Sequence, residues 1–93
     1  MSFNKVSGSR NKHRVVLYAL STCGWCRKTK ELLAAEDVEH EYVDVDLLEG
    51  LERKMVSDEV RALNPRGNYP VLQIDEQVIV GYDPDKTREA LSR

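Results

Sequence analysis

The spacing of apolar residues along this chain changes from segment to segment, and each change marks a structural element. Residues 14–20 carry Val15, Val16, Leu17, Tyr18, Ala19 and Leu20 with no polar break. A continuous apolar run with β-branched and aromatic members predicts a central strand covered on both faces. Ser21 and Thr22 end the run. From about Gly24 to Glu36, Trp25, Thr29, Leu32 and Leu33 recur at helical spacing, and Lys28, Lys30, Glu31 and Glu36 fall mostly elsewhere. This segment is expected to be an amphipathic helix. Residues 41–46 alternate, with Val43 and Val45 on one face and Tyr42 and Asp44 on the other, as in a half-buried strand. Strand, helix and strand in this order imply a parallel pair joined by a right-handed crossover.

Leu48, Leu51, Met55, Val56, Val60 and Leu63 again have helical spacing, though Gly50 and Ser57-Asp58 weaken it. The segment is one long helix or two pieces, and Asn64-Pro65-Arg66-Gly67-Asn68 stops it. Residues 71–74 and 78–80 are short apolar strands joined by Asp75-Glu76-Gln77, which predicts an antiparallel hairpin. Asp83 as N-cap, Pro84 in the first helical position and Asp85 in the first turn open a last helix, with Leu91 turned inward and Ala90 beside it. The predicted order is β-α-β-α-β-β-α: an α/β fold with one four-stranded mixed sheet flanked by helices. Residues 1–12 hold Ser7-Gly8-Ser9 and little that could pack, so they are expected to form a flexible arm ahead of a domain spanning 13–93.

Composition narrows the function classes. The 93 residues are 41% hydrophobic and 32% charged, as expected of one folded soluble domain, a monomer by expectation. The net charge of -2 shows no basic excess of the kind nucleic-acid binding usually leaves. No apolar run approaches the roughly 20 residues of a membrane span. The polar N-terminus lacks the apolar segment of a secretory signal, so the expected compartment is the cytoplasm.

The two cysteines, Cys23 and Cys26, sit in Cys23-Gly24-Trp25-Cys26 at the predicted strand-to-helix junction. In a cytoplasmic protein such a pair reads as a redox dithiol, and a bridge across so small a loop is a poor structural staple. A helix start favours an anion, and Arg27 and Lys28 add positive charge in the next turn. Cys23 is therefore expected to be the exposed attacking thiolate and Cys26, one turn on, the buried resolving thiol. Structural zinc would need four ligands, and only His13 and His40 could join the cysteines, without ligand-like spacing. No metal ligand is assigned. Two inert buried cysteines would leave Gly24-Trp25 at a helix start without a role.

Three motifs resemble the glutaredoxin family within the thioredoxin-like fold, over about residues 14–93. They are Ser21-Thr22-Cys23-Gly24-Trp25-Cys26, then Asn68-Tyr69-Pro70, then Gly81-Tyr82-Asp83-Pro84-Asp85. The resemblance implies a thiol–disulfide oxidoreductase and electron carrier. It implies a cis Tyr69-Pro70 bond, with Pro70 against the dithiol and the backbone of Tyr69 offered to the bound peptide or thiol. It also places Gly81, Tyr82 and Asp83 on the substrate side. Trp25 is read as exposed beside Cys23 and available for partner contact, or as partly buried against its helix. Disulfide-containing proteins are the implied substrates.

The sequence also departs from the glutathione-using pattern. Leu20 stands where a lysine is common, Gly24-Trp25 where Pro-Tyr is common, and Gly81-Tyr82 where Gly-Gly is common. Losing a cationic contact is expected to weaken capture of glutathione, which carries two carboxylates. The last motif is similar to redoxins that serve ribonucleotide reductase and are reduced by thioredoxin reductase. The donor is thus either a reductase or glutathione, and no bound cofactor is required. A second implied function is a carrier of a [2Fe–2S] cluster, since Gly24 in place of proline frees the loop.

Overall fold

The computed structural model describes residues 3–93. Its centre is the strand β2 (Val15–Ala19), buried along its whole length. Val15, Leu17 and Ala19 point into one core and Val16 and Tyr18 into the other, so the run has no polar face because neither side meets water. Helix α1 (Gly24–Ala35) follows and buries Cys26, Thr29, Leu32 and Leu33. Strand β3 (His40–Asp44) returns parallel to β2, with Ala19 opposite Asp44. Helix α2 (Gly50–Leu63), the hairpin of β4 (Val71–Ile74) and β5 (Gln77–Val80), and helix α3 (Pro84–Leu91) complete the predicted order.

One core lies on the α1 and α3 side of the sheet and includes Leu33, Leu72, Ile79, Ala90 and Leu91. The other gathers Val43, Val45, Leu48, Val56, Val60 and Val71 beneath α2. The last helix is capped as its sequence predicts. The Asp83 carboxylate accepts the Lys86 N–H at 3.0 Å, and Pro84 occupies the first turn.

The mixed α/β arrangement is the expected one, but the sheet has five strands, in the order β1-β3-β2-β4-β5, rather than four. The added strand, β1 (Asn4–Val6), comes from the segment read as a flexible arm and pairs antiparallel with β3. Beyond it, Arg10 exchanges backbone hydrogen bonds with Asp37 and Glu39, each 3.0 Å. Gly8 explains how the chain comes so close. A Cβ there would stand 2.5 Å from the Glu39 nitrogen and 2.6 Å from the Asp37 oxygen, so only glycine fits. The expected arm also includes Met1 and Ser2, which lie outside the described residues.

Other corrections are smaller. Residues 41–46 are not all strand. β3 ends at Asp44, and Val45–Leu47 form a 3-10 turn that still buries Val45. The next segment is one helix, Gly50–Leu63, unbroken at Ser57-Asp58, and Leu48 lies ahead of it. Leu51 and Met55, expected on its apolar face, are exposed at 71% and 56%; Val56 and Val60 carry the burial. Among the described residues, no helix is long and apolar enough to cross a membrane.

Candidate active site

The polypeptide leaves β2 at Ala19 and turns into α1 within a few residues. The turn is closed by the Cys23 N–H, which donates to the Leu20 carbonyl at 3.2 Å. Cys23 is the N-cap of α1. Its extended backbone aims the sulfur back over the first turn, where Sγ accepts the Cys26 N–H at 3.2 Å. The helix thus places an otherwise unpaired N–H against this sulfur.

Cys26 lies one turn further on and is fully buried in the α1-side core. Its Sγ accepts the Leu20 N–H at 3.5 Å. Burial pushes the Cys26 thiol up to about 12, and its hydrogen bond to Cys23 adds to the push. Cys23 is only partly buried, and neither cysteine is in a disulfide. The two sulfurs therefore differ sharply in surroundings while sharing one turn of helix.

Of the other residues expected at the site, Tyr82 meets Trp25 of this turn and Tyr69 packs against the core that holds Cys26. The Tyr69-Pro70 peptide is cis. Pro70 is fully buried, and Tyr69 packs against both cores, including the one that holds Cys26. Burial raises the Tyr69 phenol, with the guanidinium groups of Arg61 and Arg53 pulling the other way. The Pro70 carbonyl accepts the Gly81 N–H at 2.8 Å. Gly81 makes this turn with φ +82, a left-handed conformation that glycine adopts without steric cost. The turn presents Tyr82, whose ring stacks on Trp25 with centroids 5.8 Å apart and an interplanar angle of 22°.

Trp25 is 59% exposed, so it does not join the buried stripe of α1. Lys28 Nζ stands 5.3 Å from its ring centroid. Asp83 is occupied as the cap of α3. Leu20, where a lysine is common, is half-buried against the α2-side core.

Sequence reasoning missed several groups beside the dithiol. Asp46 accepts the Ser21 N–H at 2.8 Å and the Ser21 hydroxyl at 2.5 Å. These two bonds hold the Asp46 carboxyl below the usual carboxylate range. Lys30 pairs with Asp44 at 2.9 Å, lies 4.6 Å from the Tyr42 ring centroid, and its charge opposes the upward push on Cys26. A pattern search could find Lys30 by its position one turn after Cys26. Nothing local in the sequence pairs residue 21 with residue 46.

The chain as a whole is similar to known proteins. A family model described as Glutaredoxin matches residues 15–79. A Clostridium pasteurianum relative, an "uncharacterized glutaredoxin-like 8.6 kDa protein in rubredoxin operon", is 33% identical over 69 residues, covering 74% of this chain and 85% of its own. The crystal structure of methanoredoxin from Methanosarcina acetivorans is 40% identical with a TM-score of 0.91, covering 97% of this chain and 96% of its own. The glutaredoxin from Methanosarcina mazei Go1 is 42% identical with a TM-score of 0.88, covering 98% and 88%.

Proposed function

The chain belongs to the glutaredoxin family, and from that premise we propose that it reduces protein disulfides through Cys23 and Cys26, cycling as an electron carrier. The observation that carries this reading is the unequal placement of the two sulfurs. Cys23 meets solvent and receives an N–H at the helix start, whereas Cys26 is buried beneath it with its thiol pushed up to about 12.

The chemistry follows from that asymmetry. The Cys23 thiolate attacks one sulfur of a substrate disulfide. A bond forms between Cys23 and that sulfur, and the second substrate sulfur leaves as a thiolate. Cys26 then gives up its proton and attacks Cys23 Sγ. The Cys23–Cys26 disulfide forms and the first substrate sulfur leaves. The substrate gains two electrons and the protein loses two. A thiol or a flavin-dependent reductase must return them before the next cycle.

The surroundings suggest how partners are met. Exposed Trp25, two residues after Cys23, stacks on half-buried Tyr82, and Tyr69 packs against the core that holds Cys26. Leu20 supplies no cation for a small dicarboxylate thiol, and Tyr82 fills space that a second glycine would leave open. The donor proposed here is accordingly a reductase of the thioredoxin-reductase type rather than glutathione. The description of the Clostridium pasteurianum relative as lying in a rubredoxin operon supports a redox role.

The test is reduction of a model protein disulfide, insulin, with NADPH-linked thioredoxin reductase or with glutathione and its reductase. Turnover is expected with the former, loss of turnover in Cys23→Ser, and an accumulating mixed disulfide in Cys26→Ser, seen by intact mass. A Cys23→Ser protein that still turns over would sink the proposal. Saturable turnover with glutathione at millimolar concentration would overturn the choice of donor.

A further inference from the structure

Resting on the redox reading above, we infer that Asp46 is a positioning residue for both thiols, acting through Ser21. The argument begins with strand register. β2 and β3 run parallel with Ala19 opposite Asp44. Two residues beyond each of those positions, the chain reaches Ser21 and Asp46, which therefore emerge side by side at the end of the sheet. The Asp46 carboxylate takes both donors of Ser21, the backbone N–H at 2.8 Å and the hydroxyl at 2.5 Å.

The backbone bond matters most. The Ser21 N–H and the Leu20 carbonyl belong to one planar peptide unit, so fixing one end fixes the other. The Leu20 carbonyl accepts the Cys23 N–H at 3.2 Å. The preceding peptide unit carries the Leu20 N–H, which donates to Cys26 Sγ at 3.5 Å. Two successive peptide units thus contact the backbone of one cysteine and the sulfur of the other. Asp46 grips the junction from outside, across 25 residues of sequence.

Ser21 and Thr22 form a turn just before the helix, and the Cys23 N–H bond to Leu20 is the backbone hydrogen bond that closes it. Without Asp46 the Leu20–Ser21 peptide can rotate, and the geometry for attack of Cys26 on Cys23 loosens. Small misplacements of reacting atoms cost large factors in rate. Asp46 touches neither sulfur, so its contribution is to orientation.

The experiment measures closure of the Cys23–Cys26 disulfide. Reduced protein is mixed with hydroxyethyl disulfide, a small neutral substrate, quenched with acid at intervals, and the mixed disulfide followed by intact mass. Asp46→Ala is expected to slow closure about tenfold. Asp46→Asn keeps an oxygen for the Ser21 N–H and an amide for the Ser21 oxygen, and is expected to close within about twofold of the parent rate. A merely structural role would lower the unfolding midpoint of Asp46→Ala without this rescue pattern in closure. Ser21→Ala removes only the hydroxyl contact and keeps the test open if Asp46→Ala does not fold; about threefold slowing is expected. Closure at the parent rate in the folded alanine variants overturns the inference and leaves the redox reading intact. A parent protein that never closes refutes the redox reading itself.

Discussion

Ionisation of Cys26 should set the pace of disulfide closure, and this can be tested by titration. With its thiol pushed up to about 12, only about one Cys26 in 10⁵ is ionised at pH 7. Burial is the largest cause. The hydrogen bond to Cys23 is a smaller cause, and it relaxes once Cys23 is held in a mixed disulfide. The closure rate should therefore rise about tenfold per pH unit through neutrality, with no plateau below about pH 8. Lys30 gives an independent handle, because its ammonium favours the Cys26 thiolate. Replacing it with methionine keeps the aliphatic stem near Tyr42 and removes the charge. For a partly exposed cation this should slow closure roughly threefold at fixed pH. The assay is rapid mixing with a neutral disulfide across pH 6–9, with Cys26→Ser as the baseline. A rate that stays flat from pH 6 to pH 8 would refute the reasoning, because some other step would then govern closure.

Two further predictions concern stability. Leu33 is fully buried in the core that holds Cys26, so Leu33→Ala should cost about 3 kcal/mol, read as a lower urea midpoint with an unchanged slope. Asp75 accepts from His13 Nδ1 at 2.5 Å and from the Arg14 N–H at 2.9 Å, and these bonds hold its carboxyl below the usual carboxylate range. Since the folded value lies below the unfolded one, its contribution is complete above the unfolded value and is lost as pH falls through the folded one. Urea titrations at pH 7, 5 and 3 should show Asp75→Asn losing less stability on acidification than the parent; equal losses would remove the assignment.

Elements that announce themselves locally were legible in the sequence. The continuous run of β2, the cap of α3 and the Cys-x-x-Cys at a helix start each rest on neighbouring residues. The cis bond at Tyr69-Pro70 came from family resemblance, since no local feature distinguishes that proline. What escaped depends on distant partners. Asn4-Lys5-Val6 has no apolar alternation, because an edge strand needs only backbone partners, and β3 supplies them. Leu51 and Met55 match a helical stripe, yet the sheet beneath α2 is filled by Val56 and Val60. Trp25 shares the helical spacing of Leu32 and Leu33 but lies in the first turn, where Tyr82 from another loop reaches it. Asp46 becomes a partner of Ser21 only through the register of two strands 25 residues apart.

The pairing of β1 with β3 also bears on how the molecule avoids its own kind. β3 would otherwise be an outer strand with a row of open N–H and carbonyl groups, running parallel to the most apolar strand of the sheet. Such a row is a template for joining another copy edge to edge. β1 shields it with a short strip in which Asn4 and Lys5 are exposed, and a charged, brief outer strand is a poor template. A chain that starts after residue 12 would retain the dithiol and both cores, yet carry a sheet border open to self-association. A strand of three residues, paired with a partner far along the chain, thus covers a border that would otherwise be open.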